Sequence, residues 1–212
     1  ADIVSSTPQG TDFTLYQQNV ELGSFHLPLH GEYNVRNALA SIAACHHAGI
    51  AANTMQSSLA SFKGVKRRQE VLGEWGNILL IDDFAHHPTA IASTLEGLRN
   101  RVGDEPILTI IEPRSNTMKQ GVHKQTLIPS AALADRVLWG NLSDMDWLPE
   151  LVGSWQAEHG ELDHHGGGAS AGELIEKALE GLPETCHIVI MSNGGFGGIH
   201  RKLVAELEKR RG

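Results

Sequence analysis

Three short polar stretches, each placed directly after an apolar run, carry the side chains with which this sequence could do chemistry. In Asp82-Asp83-Phe84-Ala85-His86-His87-Pro88-Thr89 two carboxylates close the run Ile78-Leu79-Leu80-Ile81, and a proline suited to a first helical turn follows. A carboxylate at a strand end accepts hydrogen bonds from ribose hydroxyls or holds metal-bound water. Capping of the next helix by Asp83 or its neighbours is the competing use. In Glu112-Pro113-Arg114-Ser115-Asn116-Thr117-Met118 the arginine, supported by Ser115 and Asn116, suits bidentate binding of a carboxylate or phosphate. A salt bridge to Glu112 is the plainer alternative for Arg114. The third stretch, Met191-Ser192-Asn193-Gly194-Gly195-Phe196-Gly197-Gly198-Ile199-His200, is a glycine-rich turn whose backbone N–H groups could approach an anion where a helix begins. Its glycines miss the G-x-G-x-x-G register, so it is not a dinucleotide fingerprint, and a Rossmann dehydrogenase is disfavoured. Upstream of all three, Lys63, Lys66, Arg67 and Arg68 place four cations within six residues, able to clamp a polyphosphate or to form a solvated charge run.

The elements that must position these groups follow from the apolar pattern. Continuous runs at 78–81, 107–111, 136–139 and 187–191 alternate with amphipathic segments that predict helices at Pro88–Asn100, Gln125–Ala134, Ala169–Leu179 and Gly198–Lys209. Unbroken apolar strands separated by helices indicate an α/β fold: a doubly wound, mostly parallel, Rossmann-like sheet covered on both faces, with its site at the carboxyl ends of the strands. Residues 1–63 read differently. Alternating runs up to residue 30 suggest an antiparallel meander, followed by helices over Asn34–His47 and about Asn53–Ser61. We therefore expect two parts, 1–63 and 64–212, with the first lacking the strands to close a core of its own. The Gly- and His-rich stretch between Trp147 and Ala171 is expected to be a mobile loop. A metal held by His159, His164 and His165 is disfavoured there for want of a rigid scaffold.

Composition narrows the classes further. A formal charge of −8 argues against nucleic acid as a partner. No apolar run approaches the roughly 20 residues of a membrane helix, and the start Ala1-Asp2-Ile3-Val4 lacks a signal-peptide pattern, so a cytoplasmic protein without a membrane partner is expected. The absence of an initiating Met leads us to expect a piece of something longer. Cys45 and Cys186 lie far apart in apolar segments without CxxC spacing, which predicts two small buried hydrophobes.

Taken in order, the segments resemble the Mur ligases, ATP-dependent enzymes that join amino acids or peptides to a UDP-linked muramic acid. Gly31-Glu32-Tyr33-Asn34-Val35-Arg36-Asn37-Ala38-Leu39-Ala40 is similar to the family's G-x-H-N-x-x-N-A-x-A helix start, with Tyr33 in place of the usual His. Phe62–Glu70 resembles the interdomain hinge, and Asp82–Thr89 the D-D-Y-A-H-H-P-T signature of the muramate–alanine branch. The segments 112–118 and 191–198 look instead like the peptide-recycling branch, which attaches L-alanyl-γ-D-glutamyl-meso-diaminopimelate. The resemblance implies a carboxy-terminal Mur domain preceded by the tail of the central ATPase domain. It implies that Asn34 and Asn37 lie near the adenine, that Arg68 reaches the nucleotide phosphates, and that Asp83 contacts ribose. Arg114, Ser115, Asn116, Ser192 and Asn193 would then bind the peptide, with His86 and His87 as further candidate contacts. Implied ligands are ATP with Mg2+, UDP-N-acetylmuramate and the murein tripeptide; no metal-binding residue is assigned in this chain. No G-x-x-x-x-G-K-[ST] is present, so the chain by itself is expected to be inactive. The alternatives are an L-alanine ligase and a non-catalytic peptide- or nucleotide-binding module.

Overall fold

Cross-strand aromatic pairing organises the first part of the chain. In the computed structural model, which describes residues 1–7, 9–140, 145–159 and 165–210, strands β1 (Asp2–Thr7), β2 (Gly10–Gln17) and β3 (Val20–Leu27) form an antiparallel meander in the order β1-β2-β3. Phe13 stands opposite Phe25 in the ladder, and their rings stack at 5.6 Å. Such cross-strand pairs fix register. Helix α1 (Glu32–His47) buries Val35, Ala38 and Ile42, at helical spacing, in a core with these phenylalanines, Leu15 and Leu27; Met55 of α2 (Ala52–Ala60) joins them.

The remainder builds a six-stranded sheet in the order β4-β5-β9-β6-β7-β8. Strands β5 (Asn77–Asp83), β6 (Ile107–Ile111), β7 (Arg136–Trp139), β8 (His165–Gly167) and β9 (Thr185–Met191) are parallel, while β4 (Glu70–Trp75) pairs antiparallel with β5 at the edge. Because β9 lies between β5 and β6, the turns after these three strands open side by side. Leu80, Leu108, Ile110, Ile188 and Ile190 pack with α7 (Ala171–Leu179) and α8 (Ile199–Lys209). Alternation turns Ile81, Ile107, Ile111 and Val189 to the opposite face. Ile91, Leu95 and Leu98 of α3 (Pro88–Val102) are buried at helical spacing.

By compactness the chain separates into Ala1–Val65 with Glu96–Gly103, and Lys66–Leu95 with Asp104–Gly212. No described helix is long and apolar enough to cross a membrane.

Several expectations need correction. The helix predicted over Gln125–Ala134 is broken into α5 (Lys124–Leu127) and a 3-10 turn at Pro129–Ala131, since Pro129 has no N–H to continue the ladder. The stretch predicted as a loop from Trp147 to Ala171 contains helix α6 (Trp147–His159) and strand β8. Pro149 falls in the first turn of α6, where backbone N–H groups lack helical partners anyway. Strand β8 forms because β7 offers it an open edge, and small Gly166 lets it approach Leu138. Of the discounted metal group, His164 lies outside the described residues, His159 ends α6, and His165 accepts a hydrogen bond from Trp139 Nε1 at 3.1 Å. Cys186 is buried as expected, and burial pushes its thiol up to about 11. Cys45 is exposed, because it follows the last buried residue of α1 at the uncovered end of that helix.

Candidate functional site

Asp82 and Asp83 end β5 with opposite surroundings. Their side chains alternate across the strand, so neighbouring carboxylates serve different partners. Asp83 is 1% exposed, accepting hydrogen bonds at Oδ1 from Ala85 N (2.7 Å) and Thr94 Oγ1 (3.3 Å), and at Oδ2 from Gln69 N (2.9 Å). Burial raises its carboxyl above the ordinary carboxylate range, against the pull of the Ala85 and Gln69 N–H groups. Asp83 thus closes the segment around residue 69 onto the end of β5. In this conformation both its oxygens are engaged by the chain itself.

Asp82 instead accepts from Arg67 Nε at 3.2 Å through Oδ2 and lies 3.0 Å from His200 Nε2 through Oδ1. Arg67 has a left-handed backbone, φ 59°, held by its N–H donating to Glu70 Oε2 (2.8 Å) and its carbonyl accepting from Phe84 N (2.8 Å). Its Nη2 donates to the carbonyls of Ser192 (2.5 Å) and Gly194 (3.2 Å). Arg68, the cation expected to meet phosphates, is exposed, with its guanidinium 5.8 Å from the centre of the Phe84 ring.

The turn after β9 is anchored at its start. Ser192 N donates to the Asp83 carbonyl (3.0 Å), and the fully buried Ser192 hydroxyl donates to Glu112 Oε2 while accepting from Gly194 N (2.9 Å). Glu112, 4% exposed, follows β6, whose neighbour is β9. Arg114 is exposed and lies against Gly194: a Cβ built on that glycine would stand 2.0 Å from Arg114 Nη1. The second and third polar stretches therefore meet. Ser115 caps the short helix α4 (Asn116–Lys119) by accepting from Met118 N at 3.2 Å, Asn116 is exposed in the first turn, and Asn193 is half-buried in the glycine-rich turn. Arg114 makes no ion pair among the described residues, so the Glu112 alternative does not occupy it.

The remaining candidates fall elsewhere. His86 Nδ1 lies 3.0 Å from the Phe84 carbonyl, and His87 Nδ1 accepts from Thr89 N at 3.3 Å with its ring edge-on to His123 at 4.4 Å. Burial, then the charges of His123 and His86, hold His87 below the ordinary imidazole range. Asn34 and Asn37 lie on α1 of the first unit; Asn34 Nδ2 donates to the His30 carbonyl at 2.7 Å and Asn37 is exposed. No group of three His, Cys, Asp or Glu suited to a metal occurs among the described residues.

Sequence reasoning missed Arg67, Asp82 and His200 as parts of one network. Charge alone does not separate Arg67 from Arg68. The left-handed backbone and the adjacency of β5 and β9 do.

The chain matches the profile of the Mur ligase, glutamate ligase domain over residues 67–194. It is 37% identical over 203 residues to the UDP-N-acetylmuramate–L-alanyl-gamma-D-glutamyl-meso-2,6-diaminoheptandioate ligase of Haemophilus influenzae, covering 95% of this chain and 44% of that protein. It is 38% identical over 205 residues to the Escherichia coli protein of the same name, covering 96% and 44%. Among solved structures, the murein peptide ligase of Psychrobacter arcticus superposes with a TM-score of 0.71 at 36% identity, covering 97% of this chain and 43% of that one. The chain thus spans less than half the length of these relatives.

Proposed function

The chain belongs to the Mur ligase family, and from that premise we propose that it is the carboxy-terminal part of a ligase joining L-alanyl-γ-D-glutamyl-meso-diaminopimelate to UDP-N-acetylmuramate. The observation that carries this reading is the seating of Arg114 against Gly194 at the ends of the neighbouring strands β6 and β9. It joins the two segments that set the peptide-recycling branch apart, and it presents an unpaired guanidinium to a substrate rich in carboxylates. The likeness to relatives bearing that activity in their names supports it.

In the reaction, ATP activates the muramate carboxylate as an acyl phosphate, and the free amine of the peptide displaces phosphate. This chain contributes positioning rather than phosphoryl chemistry. Arg114, with Ser115, Asn116 and Asn193, orients the peptide through its carboxylates. Ser192 works by shaping the turn, because its hydroxyl is already engaged. Arg68 faces the nucleotide phosphates, and Asn34 and Asn37 line the adenine side as the tail of the ATP-binding domain. We assign Asp83 the task of holding the residue-69 segment rather than of meeting ribose directly, since both its oxygens have chain partners. His86 and His87 stay candidate contacts. Magnesium would offset charge on the triphosphate when bound, but Asp82 and Asp83 are both engaged within the chain, so neither is assigned to a metal.

The test is to incubate the natural protein that carries this chain with ATP, UDP-N-acetylmuramate and either the tripeptide or L-alanine, and to identify the product by mass. A tripeptide adduct is expected; an adduct formed with L-alanine alone would replace this reading by the alanine ligase. No adduct with either would leave a binding module.

A further inference from the structure

Two arginines flank the glycine-rich turn, and they are engaged very differently. Arg114 makes no hydrogen bond or ion pair with a described residue, whereas Arg67's guanidinium donates to the Asp82 carboxylate and to the carbonyls of Ser192 and Gly194. We propose that Arg67 is a positioning residue for the peptide site, gripping the Ser192 and Gly194 carbonyls so that the turn against which Arg114 stands keeps one place.

The inference rests on the peptide-ligase reading above and adds to it a residue and a means. Hydrogen bonds from Ser192 N to Asp83 and from Ser192 Oγ to Glu112 fix where the turn begins, but Gly194 lies beyond those anchors. Its N–H is held by the Ser192 hydroxyl, and its carbonyl is held by Arg67. Because the Cα of Gly194 is what Arg114 packs against, a shift of that residue moves the seat of the substrate-facing guanidinium.

Three features suit Arg67 to this task. Its planar fork reaches a carboxylate and two carbonyls at once, which the single ammonium of a lysine cannot reproduce in the same geometry. Its own N–H donates to the Glu70 carboxylate and its carbonyl accepts from Phe84 N, which fixes its left-handed backbone, so the fork starts from a defined point. His200 on α8 holds the far oxygen of Asp82, tying the pair to the helix that follows the turn. The phenyl ring of Phe84 lies 5.4 Å from Arg67 and 5.8 Å from Arg68, so the two adjacent cations share a surface while only the first is committed to the turn.

The experiment measures KM for the tripeptide and for ATP in the natural protein carrying this chain, with Arg67→Lys made in the wild-type and in the Arg114→Ala background. Expected is a rise of about tenfold in the peptide KM with an ATP KM within about twofold, the size of change that goes with misaligning one charge-assisted contact. In the Arg114→Ala background Arg67→Lys adds nothing further to the peptide KM, a dependence that a general loss of structure would not produce. An ATP KM that rises in step, or effects that multiply in the double variant, would overturn the inference. Should Arg67→Lys fail to fold, Asp82→Asn loosens the same grip without touching the turn; an unchanged peptide KM there overturns it equally. If the wild type uses L-alanine and not the tripeptide, the substrate reading fails by itself, and the same double-variant comparison is read on the KM for the amine actually used.

Discussion

Replacing Gly194 by alanine separates the site from the fold more cleanly than any other single change. Gly194 has no left-handed φ, so its backbone accepts a side chain without strain. The new methyl would lie 2.0 Å from Arg114 Nη1, and ordinary contact begins at 3.4 Å. The neighbour that must yield is the end of a flexible side chain, not backbone, so the guanidinium retreats and the fold persists. Loss of alignment with one substrate carboxylate is worth about 1.5–3 kcal/mol, or roughly ten- to 150-fold in peptide KM. Stability moves the other way: a glycine-to-alanine change at a compatible backbone gains about 0.4–1 kcal/mol by restricting the unfolded chain. The assay is steady-state kinetics with varied tripeptide, beside a thermal melt. A peptide KM unchanged in a protein of unchanged stability would refute the idea that the seat of Arg114 matters.

Other consequences are as direct. Ser192→Ala removes a buried donor to Glu112 and the acceptor for Gly194 N, and should lower unfolding free energy by about 1–3 kcal/mol, read by denaturant titration. Arg68→Ala should weaken ATP binding by about tenfold while leaving the melting temperature nearly unaltered, because the side chain is exposed. His87 folds with its imidazole held below the ordinary range, so its contribution to stability is present above that ordinary value and is lost as pH falls through the lowered one. Proton NMR should find it titrating below about 6.5, and His123→Gln should move that midpoint upward by removing a neighbouring charge.

Which parts of this architecture could be read from the sequence follows from what sets each part. The strands at 107–111 and 136–139 are legible residue for residue because both faces of a central parallel strand are buried and the runs are apolar apart from Thr109 and Arg136. Strand β4 escapes this logic: as an edge strand it exposes Val71, carries Gly73 at a register shift and alternates only weakly. Helix α6 was hidden by Pro149 and Gly153, and β8 by its three-residue His-Gly-Gly composition, which pairs only because β7 is there to receive it. At the site, the residue types at each strand end were visible and their partners were not. Asp82 and Asp83 look equivalent in sequence, yet strand alternation sends one to Arg67 and His200 and the other into a buried bed of N–H groups. Arg67 and Arg68 likewise differ only once the chain turns left-handed at residue 67.

The proposed meeting of Arg114 with a carboxylate of the peptide is open to direct test. Calorimetric titration of the tripeptide into the natural protein carrying this chain, loaded with UDP-N-acetylmuramate and a non-hydrolysable ATP analogue, tests it in wild type and Arg114→Ala. Saturable binding is expected in the wild type, weakening by at least about tenfold in the variant through loss of a charge-assisted pair. Equal affinity in the two proteins would contradict it.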